Sequence, residues 1–238
     1  MIKFLLGFVL AIATVIFLAV SAVGLTPLSR ILGTSQVDLG IKVTEEETKA
    51  AIAKVGTEII ALPKDTPDSA GFRLEGTKSA DFTMTSQEIS AHSNNRPWKN
   101  YPVKNLQIKI LKDGTIESSA TLIISKALPY ALGLGYSKDQ IEQAMQKYNI
   151  PPLEVPIYVL GKGSVQNDKV TVAAKTVKIG AVTIPGSIVS QANGEAEQVL
   201  DDLIKKNSQS FHCESLTFSD NQLHFKGTIA EKQYVVTN

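Results

Sequence analysis

Three histidines and one cysteine are the chain's whole supply of imidazole and thiol, so metal binding and nucleophilic catalysis can be judged from where these residues fall. Phe211 to Thr217 and Gln222 to Ile229 alternate in strand fashion around Asp220-Asn221, which predicts a hairpin. In that register Ser219 faces Gln222 and Thr217 faces His224. His212 then falls opposite Ile229, on the other face of the ribbon from His224. A metal shared by the two imidazoles is not expected. Cys213 and His212 are strand neighbours whose side chains point to opposite faces, which disfavours a thiolate–imidazole pair. His92 falls in a short helix near Asn94, Asn95 and Arg96, with no carboxylate at a spacing that would orient it as a base. Gly161-Lys162-Gly163-Ser164 resembles part of a phosphate loop but lacks its full spacing, and it lies inside a predicted strand, where glycine permits a bend or a close contact. The acids gather in Glu45 to Glu47 and Asp201-Asp202, on solvated helix faces where capping and solubility account for them. No catalytic residue, metal ligand or cofactor is expected, and the chain reads as a non-enzyme.

These residues must be positioned by a mixture of helices and hairpins. Thr44-Glu45-Glu46-Glu47 forms a capping box and predicts a helix to about Lys54, with Ala51, Ile52 and Val55 on one side and Gly56 as a left-handed cap. Pro63 to Gly71 reads as a loop. Phe72 to Met84 alternates and runs into a second box, Thr85-Ser86-Gln87-Glu88, which predicts a short helix ending near Asn94-Asn95. Leu106, Ile108 and Ile110 alternate with polar residues up to Asp113-Gly114, after which Ile116, Ala120, Leu122 and Ile124 alternate again, the pattern of a hairpin with one apolar face. Ser137 to Tyr148 has helical periodicity and is closed by Asn149 and Pro151-Pro152. A second hairpin runs from Val155 to Val165 and from Val170 to Ile184 over Asn167-Asp168. From Gly186 to Lys206 apolar residues recur at three and four, predicting a helix of about 30 Å with one aliphatic stripe, against which only Gly194 argues. The fold class expected is α+β, with more sheet than average.

The first 25 residues stand apart. No charge occurs from Phe4 to Leu25, and about 22 residues at about 1.5 Å each suffice for a bilayer core. Lys3 and the amino terminus precede the run, while Arg30 and Lys42 follow at a distance, which places the N-terminus in the cytoplasm and the remainder outside. Val20 and Ala22 have the small-residue spacing of a signal-peptidase site, but the apolar stretch exceeds the usual length of about 7 to 15 residues, which favours an uncleaved anchor over a secreted product. Residues 1–25 are thus a transmembrane anchor or signal segment, 26–37 a juxtamembrane tether and 38–238 an extracytoplasmic domain. Lys plus Arg number 24 against 23 Asp plus Glu, with no basic run longer than two residues, so nucleic acid is not an expected partner.

Three places carry a family resemblance: Val37 to Ile41 leading into Thr44 to Glu47; Phe82 to Ile89 followed by Val103 to Ala120 with Asp113-Gly114; and Ile179 to Pro185 entering the long helix. In order and content these resemble the tubular lipid-binding superfamily, especially bacterial members with an N-terminal anchor and one exported domain, over most of residues 37 to 205. Trp98 to Tyr101 and Leu128 to Tyr136 depart from the family's patterns. The resemblance implies a strongly curved antiparallel sheet wrapped around a long amphipathic helix, holding acyl chains in an apolar groove. The lining candidates are Leu106, Ile108 and Ile110 with Leu122 and Ile124 from the first hairpin, Ile157, Val159 and Val172 from the second, and Ile188, Val199 and Leu203 from the long helix. Leu128 to Tyr136, apolar and glycine-rich, is a candidate lip against a bilayer or an entering ligand. Burying methylenes, at about 0.8 kcal/mol each, would hold a membrane lipid or other acyl-chain ligand with little specificity. The alternative is a structural or protein-interaction module of the cell envelope with a filled interior.

Overall fold

Both threonine–glutamate boxes start helices where their spacing predicts. The computed structural model describes residues 34–139 and 153–237. Thr44 accepts the Glu47 amide while Glu47 accepts the Thr44 amide, opening α1 (Glu45–Val55), which stops at Gly56 in the left-handed conformation. Ala51 and Val55 are buried, whereas Ile52 stays 42% exposed. There follow β1 (Glu58–Leu62), β2 (Phe72–Glu75) and β3 (Lys78–Thr85), the last two parted at Gly76. Thr85 caps α2 (Ser86–Asn94) with the same reciprocal bonds to Glu88. Then come β4 (Val103–Ile110), β5 (Ile116–Ile123), α3 (Ala127–Gly133), β6 (Glu154–Gln166), β7 (Lys169–Ile179) and β8 (Val182–Thr183). The long helix α4 (Gly186–Lys206) runs through Gly194 without a break, and β9 (His212–Ser219), β10 (Gln222–Ile229) and β11 (Lys232–Val236) finish the chain.

The two-residue turns Asn167-Asp168 and Asp220-Asn221 have positive φ at both positions, the type I′ geometry whose twist matches that of the flanking strands. The hairpins join into one antiparallel sheet of eight strands. Along the path β3-β10-β9-β6-β5-β4, one edge of β6 is shared, by β5 over Glu154–Gly161 and by β9 at Val165 and Gln166, while β7 takes the other edge. A separate sheet of order β1-β11-β2 pairs β1 and β11 in parallel. The fold is therefore α+β with a large antiparallel sheet. No helix among the described residues is long and apolar enough to cross a membrane. The apolar run 4–25 and most of the helix predicted over Ser137 to Tyr148 lie outside the described residues.

Lys54 donates to both carboxylate oxygens of Glu88, at 2.7 and 2.8 Å, tying α1 to α2. Burial raises the Glu88 pKa, but the Lys54 ammonium and the Thr85 amide outweigh it, leaving the carboxyl below its ordinary value of 4.5. A depressed folded-state pKa contributes stability that is present above 4.5 and lost as pH falls through the folded value. Glu88→Gln is expected to cost about 1–2 kcal/mol at pH 7, a figure discounted for the partial exposure of Lys54, since both the ion pair and the cap weaken. Urea titrations at pH 7 and pH 3 check this: the gap between wild type and variant must close at the lower pH.

Candidate functional site

Cross-strand register places most of the predicted lining on one face. Ile108 lies opposite Ser118, Ile110 opposite Ile116 and Val103 opposite Leu122. On β6, Val155, Ile157 and Val159 face Leu122, Ala120 and Ser118. The same face continues through Ile179 and Val177 on β7, Leu216 on β9, Phe225 and Leu223 on β10, and Phe82 and Met84 on β3. An apolar face thus runs across the whole sheet. Leu106, Ile108, Ile110, Leu122, Ile157 and Val159 are buried in one contiguous cluster, as are Ile124 and Leu203, and Val172, Ile188 and Val199 are half-buried against it. Two placements differ from the sequence reading. Ile124 lies in a short 3-10 turn after β5, not in the strand. The buried stripe of α4 is Val189, Ala192, Ala196, Leu200, Leu203 and Ile204, so Ile188 and Val199 sit at its margin.

The helices attach to this sheet by its edges. On α2, Ser86, Ser90 and Asn94 are spaced one turn apart and accept the amides of Ile110, Ile108 and Leu106 at 2.9, 2.9 and 2.8 Å. On α4, Asn193, Glu197 and Asp201 repeat the device, accepting the amides of Ala174, Val172 and Val170 at 3.1, 2.8 and 2.9 Å. A helix rises about 6 Å in four residues and a strand advances about 6.6 Å in two, so each rung meets every second amide of the neighbouring strand. The outer edges of β4 and β7 are satisfied in this way by side chains. Asp201, expected to be only a solvated acid, is a rung of the second ladder and also pairs with Lys169 at 2.7 Å.

The histidine and cysteine readings change in one respect. A bulge between Lys226 and Gly227 shifts the register, so His212 pairs with Thr228 rather than Ile229. A bulge inserts one residue and thereby reverses which face the following side chains take. His212 consequently shares the outer face with His224, contrary to the expectation of opposite faces. Each ring has its own partner: His212 Nδ1 lies 2.6 Å from Asp168 Oδ2, and His224 Nε2 lies 3.3 Å from Ser219 Oγ. Cys213 is fully buried beneath the same strand, and burial pushes its thiol up to about 12. Gly161 stands where a Cβ would strike Ala173 and Ala174 of β7, and the Lys162 ammonium bonds the Asp113 carbonyl at 2.7 Å, so this glycine serves close strand approach. Among the described residues no group of His, Cys, Asp and Glu is arranged to hold a metal.

Residues 36–39 lie against the sheet. Ser119 Oγ donates to the Val37 carbonyl at 2.6 Å, Leu39 N–H to Gln107 at 2.7 Å, and Gln36 bonds the Asn105 carbonyl at 2.6 Å, holding residues 36–39 across the β4–β5 hairpin. A shallow open cleft of about 400 Å³ lies beside this strap, between Val37, Ile41 and Val43 on one side and Asn94 and Leu106 on the other.

Trp98 to Tyr101 and Leu128 to Tyr136 come together at one end of the fold. Trp98 and Tyr130 lie 4.8 Å apart between ring centroids, Phe72 packs on Trp98 at 4.9 Å, and Tyr101 meets Tyr130 edge-on at 6.3 Å. Gly133 of α3 lies so close to the Trp98 ring that a Cβ would overlap it. Leu128 to Tyr136 is thus not a free lip: Tyr130 and Leu134 are buried. Beside this cluster stand His92, in the last turn of α2, and Arg96, just beyond its end. Arg96 Nε and Nη2, both His92 ring nitrogens, Trp98 Nε1 and Tyr130 Oη are all enclosed without a hydrogen-bond partner. Burial, then the charge of Arg96, pushes the His92 pKa well below its ordinary value, so the ring is neutral. Burial lowers the Arg96 pKa from its ordinary value, pushes Tyr101 up to about 12 and raises Tyr130 well above its usual value. Sequence reasoning named Arg96 only as a polar neighbour of His92. The available signal was a lone arginine followed by proline and tryptophan just after a short capped helix.

No protein-family model matches the chain, and no curated protein and no solved structure matches it.

Proposed function

We propose that the chain is a membrane-tethered, extracytoplasmic module that binds acyl chains on the apolar face of its large sheet and performs no catalysis. The observation that carries this reading is the continuity of that face combined with where the helices sit. An apolar sheet face must be covered by another layer. Among the described helices, α2 packs along β4 and α4 along β7, and α4 turns Val189, Ala192, Ala196, Leu200, Leu203 and Ile204 into the same apolar cluster as the sheet. Acyl chains entering between α4 and the sheet would first meet Val172, Ile188 and Val199, which are only half-buried against that cluster, and hydrocarbon suits such contacts because it needs no directed polar partner. In this reading residues 4–25 form the tether, and the strap at 36–39 holds the domain close to it.

The second reading is an envelope interaction module with a filled interior. It draws on the burial of Leu106, Ile108, Ile110 and Leu122 in one cluster. Native mass spectrometry of the full chain, released from membranes by gentle detergent, separates the two. Co-purified lipid bearing one or two acyl chains is expected, and Ala120→Phe, which thickens the middle of the face, is expected to lower its occupancy several-fold. A ligand-free mass for the wild type, with Ala120→Phe merely destabilised by about 1–3 kcal/mol from overpacking, sinks the acyl-chain reading.

A further inference from the structure

We propose that the Arg96 end of the fold is a binding site for an oxyanion, the carboxylate or phosphate head of an amphiphile, received on the Nε/Nη2 edge of the guanidinium. The naming of the head group rests on the acyl-chain reading; the anion site itself does not.

Nε and Nη2 are the two nitrogens that present parallel N–H bonds along one edge of a guanidinium, the fork that matches two oxygens of a carboxylate or phosphate. They are also the two that are enclosed and unpaired here. Among the described residues no carboxylate pairs with Arg96, and the charged forms that act on it are those of Tyr101 and Tyr130. Both phenols are neutral at physiological pH, since their pKa values are raised. A guanidinium whose Nε/Nη2 edge is enclosed without an anion is unfavourable, so a site built this way implies a charge that arrives from outside.

The surroundings fit the same ligand. The Trp98 indole N–H and the Tyr130 hydroxyl are further donors with no partner, and neutral His92 donates from one ring nitrogen and accepts at the other. His92 is 6% exposed, Trp98 and Tyr130 2% each, so these polar atoms are withheld from bulk water. Ala127–Gly133 and Trp98 to Tyr101 flank the start of β4 and the end of β5, so an anion here adjoins Val103 and Leu122 at the margin of the apolar face. Head and chain sites are therefore contiguous.

Trp98 is the chain's only tryptophan, which makes its fluorescence a reporter of this end of the fold. The full chain in nanodiscs of zwitterionic phospholipid is titrated with decanoate, decanol and inorganic phosphate, against protein-free nanodiscs. Decanoate is expected to bind at least about tenfold more tightly than decanol, and Arg96→Gln to abolish that preference while leaving decanol unchanged. Arg96→Lys keeps the charge but not the fork and is expected to lie between. Ligand-free Arg96→Gln is expected to melt higher than wild type, because an unpaired enclosed charge has been removed; a structural arginine gives the opposite shift and overturns the proposal. Equal binding of decanoate and decanol also overturns it, with the acyl-chain reading intact. A response to phosphate alone, lost in Arg96→Gln, supports the anion site and counts against acyl chains. No response to any of the three overturns both. If Arg96→Gln fails to fold, Arg96→Lys decides: a decanoate preference reduced about tenfold supports the site, and an unchanged preference removes it.

Discussion

Replacing Ser86, Ser90 and Asn94 together by alanine is expected to destabilise the domain by at least about 3 kcal/mol, since each buried amide left without its acceptor costs about 1–3 kcal/mol. Ser90 is fully buried, and its hydroxyl both accepts the Ile108 amide and donates to the Ser86 carbonyl at 2.7 Å. No solvent molecule can readily stand in for it. The loss is a large share of the total stability of a typical domain, about 5–15 kcal/mol. Hydrogen exchange locates the effect: protection should fall at Leu106, Ile108 and Ile110, while β5, bonded on both sides within the sheet, keeps its slow amides. Uniform loss across both strands would mean that the ladder is not a separable device. The matching triple on α4, at Asn193, Glu197 and Asp201, is expected to have a smaller effect because those rungs are only partly buried. It exposes the edge of β7, however, and an unpaired edge recruits other strands. Concentration-dependent association of that variant, measured by light scattering, is the expected sign.

Gly114→Ala is expected to cost about 3 kcal/mol or more, whereas Gly40→Ala should cost about 1 kcal/mol, although both glycines have left-handed backbones. φ is 78° at Gly114 and 72° at Gly40, so the intrinsic strain of a side chain is the same. The surroundings differ. A Cβ at Gly40 meets nothing, whereas one at Gly114 would overlap the Phe218 carbonyl. The turn 111–115 is docked on the β9–β10 turn, where the Asp220 amide bonds the Lys112 carbonyl at 3.2 Å, and on β6 through Lys162. Gly114 therefore closes the fork at which β5 and β9 share one edge of β6. Denaturant melts of the two variants check the difference, and equal destabilisation would show that this docking contributes nothing.

Features written in short stretches of chain were legible. The two capping boxes, the left-handed stop at Gly56, the turns at Asn167-Asp168 and Asp220-Asn221 and the full extent of the long helix all follow from residues within one or two turns of one another. Gly194 did not interrupt its helix, because the cost of one glycine is about 1 kcal/mol and the stripe from Val189 to Ile204 outweighs it. The parallel pairing of Glu58–Leu62 with Lys232–Val236 was not legible, because neither strand has a local signal for a partner so distant in sequence. The bulge at Gly227 likewise escaped notice and reversed the face of His212.

The candidate site divides along the same line. Alternation by itself determined that Ile108, Leu122, Ile157 and Val159 would be apolar-side residues, since a strand's side chains repeat every second position whatever surrounds them. It could not determine that Ser86, Ser90 and Asn94, or Asn193, Glu197 and Asp201, are edge acceptors, because a polar row on a helix reads as solvated until the neighbouring strand's amides are known. Nor could it assign a role to Arg96. Whether a guanidinium is bathed in water or enclosed with one edge unpaired depends on what the rest of the chain places around it: here Tyr130, Trp98 and Tyr101, brought from two segments that only the tertiary structure joins.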